Sequence, residues 1–229
     1  SLLRVLKMRL VSKRYLKSLA ILLLLILTFY IFHLNSIVKA EFSNPLKPLK
    51  NVTQIQYSLD NYPKDLINML LLVEDQSFYS HYGVDFKEIA RVLYGYLFED
   101  KALRGASTIS QQLIKNSLLS REKTLSRKSE EALMAILLEV SFEKDLILER
   151  YMNTVYLAQK GDEAFHGFAS GSLFYFNKNV EDLSLEEMAT LVALLKGPSY
   201  YNPDNFPERL NKRINMILSM HNKYKRIIN

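Results

Sequence analysis

The sequence predicts a mainly α-helical domain that is preceded by a single N-terminal transmembrane helix. Two observations predict this. A long apolar run without charges lies near the N-terminus, and the residues after Asn61 show apolar side chains at helical spacing behind typical helix-capping residues. No strand-turn-strand repeat is evident after Asn61, so we expect that whole part to be helical. The length of 229 residues suits one sizeable domain plus an anchor.

The transmembrane helix is predicted over residues 18–38. This stretch contains no charged side chain and is dense in Leu, Ile and Phe. A helix needs roughly 20 apolar residues to cross the core of a bilayer. The competing interpretation is a cleavable signal peptide that ends near Val38-Lys39-Ala40, but the apolar run is longer than the usual ~7–15 residues of such a peptide.

The segment before this run, residues 1–17, is a basic tail. It carries six Lys or Arg residues and no Asp or Glu. The positive-inside rule therefore predicts that the N-terminus lies in the cytoplasm and that the rest of the chain lies outside. The formal net charge is +6, and removing the tail leaves 24 basic against 24 acidic residues. Since the remainder is neutral, the basic isoelectric point does not indicate a nucleic-acid partner.

Residues 39–60 are predicted to be a linker, with one edge strand in the alternating run 52–57. Pro63 suits the first turn of a helix that continues through 73. Capping-box spacing opens three more helices, at Asp85 with Glu88, Thr108 with Gln111, and Ser184 with Glu187. Further helices are predicted over 127–140, 143–157 and 207–225, in a globular domain that covers 61–229.

The first chemical motif is the acidic pair Glu74-Asp75. The pair follows seven mostly apolar residues, so we expect it at the end of a buried helix, where a carboxylate can serve as a general base. Phe78, Tyr79 and His81 follow and are expected to shape a loop over the pair. The alternative is an ordinary charge pair at a helix end in solvent.

The second motif is the polar run 105–116, Gly-Ala-Ser-Thr-Ile-Ser-Gln-Gln-Leu-Ile-Lys-Asn. Gly105 is expected to allow a tight approach to the helix. Backbone N–H groups are free at a helix start, and they attract anions near Ser107 and Thr108. One stripe of the helix, suited to sugar hydroxyls and a phosphate, carries Gln112, Lys115 and Asn116. The alternative is a solvated polar face.

The third motif is a basic cluster followed by two glutamates. Its members are Arg121, Lys123, Arg127 and Lys128, followed by Glu130-Glu131. Arg127 and Glu131 share a helix face, which fits either a simple ion pair or a carboxylate held among cations that bind a diphosphate. Periodicity does not separate Glu130 from Glu131. The four histidines show no metal-ligand spacing, so no metal site is predicted.

These motifs resemble those of the family 51 glycosyltransferases. That family comprises peptidoglycan polymerases, found as monofunctional enzymes and as the N-terminal half of class A penicillin-binding proteins. The resemblance covers most of the chain from residue 60 to residue 220. It is carried by the segments 74–83, 105–116, 127–132, 144–153, 175–178 and 194–203. The stretch 152–168 is most similar to the 1b-type bifunctional proteins.

The resemblance implies a lysozyme-like, mainly helical fold with a small mobile lobe beside the membrane. It implies polymerisation of lipid II, the undecaprenyl-diphosphate-linked disaccharide-pentapeptide, with inversion at the donor's anomeric carbon. Glu74 matches the general base that deprotonates the acceptor's 4-hydroxyl. Glu131, rather than Glu130, matches the second catalytic glutamate, which assists loss of the lipid diphosphate.

The resemblance also implies the substrate-binding residues. Those that match phosphate contacts are Lys115, Arg127, Lys128 and Lys196. Those that match other parts of the binding cleft are Asp75, Phe78, His81, Ser107, Thr108, Gln111, Gln112, Asn116 and Asn153. No cofactor is required, although a divalent cation (Mg or Mn) helps some members, and moenomycin is the expected inhibitor.

The implied partners are lipid II, the growing glycan strand, the lipid bilayer and other cell-wall synthesis proteins, at the inner membrane of a bacterium. The 1b-type proteins carry an extra small domain after the anchor and a transpeptidase domain at the end. The short linker 39–60 leaves no room for the first, so the chain is expected to be either a truncated bifunctional enzyme or a monofunctional one.

Two other functions fit parts of the sequence. A peptidoglycan hydrolase or lytic transglycosylase would share the fold and use a glutamate, but it needs neither a phosphate site nor an anchor. The basic residues of 115–128 therefore favour synthesis. A non-catalytic membrane-anchored scaffold for cell-wall assembly is the third possibility, and the presence of both Glu74 and Glu131 argues against it.

Overall fold

The computed structural model describes residues 2–44, 52–102, 105–120, 122 and 124–224. The chain divides into two compact units, Ser1–Ser43 and Asn44–Asn229. The first unit is one long helix, α1 (Leu2–Phe42), and its part from Tyr15 to Phe42 is long and apolar enough to cross a membrane. The predicted apolar N-terminal helix is thus confirmed, with helical structure continuing on both sides of 18–38.

The second unit is mainly α-helical, as predicted. Its helices are α2 (Lys64–Glu74), α3 (Phe86–Phe98), α4 (Ile109–Leu118), α5 (Leu125–Ser141), α6 (Lys144–Thr154), α7 (Phe168–Phe176), α8 (Leu185–Leu194) and α9 (Pro207–Tyr224). Reciprocal capping boxes start α4 and α8, as their sequence spacing predicts. The Asp85 side chain caps α3 by accepting from the Glu88 amide at 2.8 Å.

A small three-stranded sheet corrects the prediction that everything after Asn61 is helical. Its strands are β1 (Val52–Gln54), β2 (Tyr156–Lys160) and β3 (Glu163–His166), in the order β1-β3-β2. The helix predicted over 143–157 therefore ends at Thr154. The signal was a two-residue Gly161-Asp162 turn, in which Gly161 adopts a φ of +60°. Such a turn joins paired strands because its twist matches theirs.

The predicted edge strand is confirmed by β1, which pairs in parallel with β3. The residues that follow β1 are bonded to the helices. The Asn153 side chain, 2% exposed, accepts from the Tyr57 amide at 2.9 Å and donates to the Tyr57 carbonyl at 2.7 Å. The Leu59 amide donates to Glu149 at 2.8 Å. The segment predicted as a linker, 39–60, thus includes residues that are fastened to α6.

The core of this unit is built around α2. Leu66, Met69, Leu70 and Leu71 of this helix are fully buried, and both α8 and α9 pack against it. Burying a Leu or Met side chain is worth about 1.5–3 kcal/mol. The C-terminal end of α2 is therefore held firmly, and Glu74 is placed where the core meets its edge.

Gly83 lies where the loop after α2 meets the backbone of α5. Its φ is +76°, and a Cβ atom there would lie 2.4 Å from the backbone nitrogen of Ile136. Because neither strain nor contact can be relieved by a side-chain movement, Gly83→Ala should lower the free energy of unfolding by at least about 3 kcal/mol. Thermal unfolding of the full chain, followed by far-ultraviolet circular dichroism, measures this.

Gly105→Ala is the matched control for that substitution. Gly105 does not have a left-handed φ, and a Cβ atom there would meet nothing within 4 Å. An added side chain therefore has room at position 105, and the tight entry into the helix stays a prediction. The Gly105→Ala substitution should change the free energy of unfolding by less than about 1 kcal/mol. Equal melting temperatures for the two variants would contradict the role given to Gly83.

Candidate active site

Glu74 is the last residue of α2, and its carboxylate is held by α4. The Gln112 side-chain amide donates to the Glu74 carboxylate at 3.0 Å, and the Gln112 carbonyl accepts from the Tyr151 hydroxyl at 3.0 Å. Tyr151 is fully buried, and burial raises the pKa of its hydroxyl well above its usual value, as do the charges of Glu74 and Asp75. The Tyr151 hydroxyl thus stays protonated and donates a hydrogen bond. Because the Gln112 carbonyl accepts that bond, the NH₂ group of Gln112 must face Glu74.

Asp75 adjoins Glu74 but lies in a different setting, because its side chain is 3% exposed. Both of its carboxylate oxygens lie 3.0 Å from Nε2 of His81, and one accepts from the backbone amide of Ile109 at 2.9 Å. Ile109 is the first residue of α4. Asp75 therefore joins the end of α2 to the start of α4. The N-terminus of α4 favours this negative charge, because the helix dipole is positive there.

Glu131 forms the centre of the second cluster. It is 1% exposed, and its carboxylate pairs with Arg127 at 2.6 Å on one oxygen and with Lys128 on the other. Lys128 also donates to the Ser107 hydroxyl at 2.9 Å. The ion pair that the sequence suggested between Arg127 and Glu131 is present. The Glu131 side chain is 1% exposed and the Arg127 side chain is 15% exposed. Glu130 is only partly buried.

The polar run 105–116 contributes two kinds of side chain. Thr108 and Gln111 are buried and form the capping box of α4, and the Thr108 hydroxyl donates to the Gly83 carbonyl at 2.6 Å. Lys115 and Asn116 are exposed on the same helix as Gln112. Since Gln112 contacts Glu74 and Ser107 contacts Lys128, the run connects Glu74 to the basic cluster.

The remaining predicted residues lie around these clusters. Phe78 is fully buried beneath the Nζ atom of Lys144, which lies 4.4 Å from its ring centre. Asn153 is bonded to Tyr57, as described above, and Lys196 is exposed just after α8. Arg121 and Lys123 of the predicted basic cluster lie outside the described residues. The direct substrate contacts assigned to the buried Asp75, Phe78, His81, Thr108, Gln111 and Asn153 stay predictions.

The loop that carries Lys196 is held by two arginines of α9. Arg213 donates to the carbonyl of Ala193 at 3.2 Å, at the end of α8. The guanidinium of Arg209 lies between the rings of Tyr200 and Phe206, 3.9 and 4.4 Å from their centres. Stacking of this kind is attractive because the ring faces are electron-rich. The two arginines therefore restrict the loop after Lys196.

Three residues of the site were given no role from the sequence, although two of them, Lys144 and Tyr151, lie in the segment 144–153 that carries the family resemblance. Tyr151 donates to Gln112 and orients it, and Lys144 pairs at 2.6 Å with the buried Glu139 carboxylate next to His81. A signal for Glu139 was present in the sequence, since it is the one acidic residue within the apolar stretch 132–142. Its burial depends on how α5 packs, which periodicity alone does not give.

A carboxylate at the end of a buried helix and a separate cation-rich cluster are groups that suit glycosyl transfer with an anionic leaving group. The comparison with protein families agrees. The family model described as Transglycosylase matches residues 43–222. The chain belongs to this family, whose members include the glycosyltransferase domains of class A penicillin-binding proteins.

Individual relatives show the same relationship. The chain is 42% identical to penicillin-binding protein 1B of Haemophilus influenzae over 77% of its own length and 23% of that protein. It is 43% identical to penicillin-binding protein 1B of Escherichia coli over 69% of its length, and 46% identical to penicillin-binding protein 1A of Neisseria gonorrhoeae over 70%. The matches span 19% and 20% of those proteins, so the chain corresponds to a minor part of each relative.

Proposed function

We propose that the chain polymerises lipid II into glycan strands, with Glu74 as the general base. The observation that carries this proposal is the pair of clusters on either side of the run 105–116. One holds a carboxylate through Gln112, and the other collects Arg127 and Lys128 around Glu131. Separate sites for a base and for a diphosphate fit a transfer reaction better than hydrolysis of a finished polymer.

In the proposed reaction, Glu74 takes the proton of the acceptor's 4-hydroxyl. The oxygen forms a bond to the anomeric carbon of the donor, and the bond from that carbon to the diphosphate breaks on the opposite face, which inverts the carbon. The Gln112 donor contacts one oxygen of Glu74 and holds the carboxylate for this role. A positioned base contributes about 100- to 10,000-fold to such a rate.

The electron pair of the broken bond leaves with the lipid diphosphate. We propose that Arg127, Lys128, Lys115 and Lys196 receive it, since cationic donors stabilise charge that develops on a phosphate. Glu131 assists by holding Arg127 and Lys128 in place from its buried position. As an ion-paired carboxylate it positions these cations and serves as an acceptor of their hydrogen bonds.

The reaction needs no cofactor in this proposal. Among the residues that the structure describes, no three His, Asp or Glu side chains converge as a metal site would need, and two cations already occupy Glu131. These residues do not fit a protein-held Mg or Mn ion, so no step is assigned to one. The basic side chains supply the positive charge instead.

We place the enzyme at the bacterial inner membrane, with the N-terminus in the cytoplasm and the catalytic domain outside. α1 provides the anchor. A second contact with the bilayer is supported by α3, whose exposed apolar side chains include Phe86, Leu93, Leu97 and Phe98, at 50–72% exposure. Exposed apolar side chains on a helix suit a membrane surface, and such a contact would bring the site close to a lipid-linked substrate. Other cell-wall synthesis proteins are the expected protein partners.

Incubation of the full chain with lipid II tests the proposal, with products separated by length. Long glycan strands and released undecaprenyl diphosphate are the expected products, and moenomycin should block their formation. Incubation with finished peptidoglycan is the parallel reaction. Shortened strands there, without polymer from lipid II, would indicate the hydrolase. No product in either reaction would indicate the scaffold.

A further inference from the structure

A chain of ionisable side chains, most of them buried, runs from α6 to the end of α2. Lys144 pairs with Glu139 of α5 at 2.6 Å, Glu139 lies 3.6 Å from Nδ1 of His81, and Nε2 of His81 contacts Asp75 at 3.0 Å. The side chains of Glu139, Asp75 and His81 are 1%, 3% and 6% exposed, and that of Lys144 is 21% exposed. The 3.6 Å contact is too long for a hydrogen bond.

Burying several ionisable groups is costly, and such groups persist where they are paired. Replacing them by apolar side chains of similar size would often be neutral or stabilising. The network is therefore expected to add little to the free energy of unfolding. Its position suggests another use, because its member Asp75 adjoins Glu74 and its member Glu139 lies on α5, the helix that carries Glu131.

The connection to Glu74 runs through Asp75. Asp75 follows Glu74 directly and accepts from the first amide of α4, and Gln112, one turn later on α4, donates to Glu74. The connection to the second glutamate runs along α5, where Glu139 lies about two turns after Glu131. The Ser110 hydroxyl donates to Glu139 and ties α4 to the same point.

We propose that Lys144, Glu139, His81 and Asp75 form a positioning network that sets Glu74 and Gln112 in register with the Glu131 cluster. The inference rests on the proposed function and deepens it. Lys144 and Glu139 touch no substrate and act through His81 and Asp75. The network fixes the base relative to the diphosphate site, and a misplacement of about 1 Å between reacting groups costs about 100-fold in rate.

The test compares full-chain variants in lipid II polymerisation, with kcat and KM measured separately. Glu139→Gln and Lys144→Met should each lower kcat about 10- to 100-fold and change KM less than about threefold. Lys144→Arg should restore kcat, since it returns the charge. The double variant should lose no more than the stronger single variant, because both act through one network.

Two controls separate positioning from general damage. Lys178→Met removes an exposed lysine that pairs with Glu187 at 2.7 Å, and it should leave kcat unchanged. Leu138→Ala creates a cavity in the same helix as Glu139 and lowers the melting temperature without touching the network. If Glu139→Gln loses no more activity than Leu138→Ala at equal folded fraction, the proposal is wrong.

A structural readout keeps the inference separate from the proposed function. A wild-type chain that makes no polymer from lipid II would refute the function. The network would then be judged by crystal structures of the wild type and of Glu139→Gln. A lost or lengthened bond between Gln112 and Glu74, 3.0 Å in the intact chain, supports the network. An unchanged bond overturns it.

Discussion

Glu74→Gln is expected to abolish the formation of glycan strands from lipid II while the protein still folds and binds moenomycin. The glutamine has nearly the same shape, and its carbonyl oxygen still accepts from Gln112. It lacks a carboxylate that can take the acceptor's proton. The loss should be about 100- to 10,000-fold, the usual contribution of a positioned base.

The measurement is the initial rate of lipid II consumption, with a moenomycin-binding assay on the same preparation. Glu186→Gln is a matched control, because Glu186 is an exposed glutamate on α8 and belongs to neither cluster. That variant should keep the wild-type rate. Polymerisation by Glu74→Gln at a near wild-type rate would remove Glu74 from the role of general base.

The helices of this domain were predictable because their signals are local. The spacing of Thr108 with Gln111 and of Ser184 with Glu187 is enough to specify a capping box, and both boxes formed. The β2–β3 hairpin was missed because its strands are short and follow a long helical pattern. The Gly161-Asp162 turn was the one local sign of it, and pairing with β1 is a long-range event.

The site was predictable in its parts and not in its connections. The end of a buried helix was readable from the apolar run before Glu74, and the structure places Glu74 there. The choice between Glu130 and Glu131 was not readable, because apolar residues follow both at helical spacing. In the structure Glu131 is buried and pairs with Arg127 and Lys128, whereas Glu130 is only partly buried. This favours Glu131, and the choice stays a prediction.

Glu131→Gln is expected to lower the rate of polymerisation about 100-fold, a typical cost of disturbing one element of charge stabilisation. The glutamine is neutral, so it binds Arg127 and Lys128 less tightly. The two cations then lose the carboxylate that holds both of them in place. Arg127 and Lys128 are 15% and 44% exposed at their side chains, so each can turn towards water. The fold should therefore survive, with weaker binding of the diphosphate.

Glu130→Gln is the control that makes this result specific. It makes the same chemical change, carboxylate to amide, at the neighbouring glutamate. Glu130 is only partly buried. Its rate should stay within about threefold of the wild type. Measuring both variants by initial rate and by inhibition with inorganic diphosphate separates loss of charge from loss of fold. A larger defect in Glu130→Gln than in Glu131→Gln would assign the role of second catalytic glutamate to Glu130. It would also contradict the assignment of the phosphate site around Arg127.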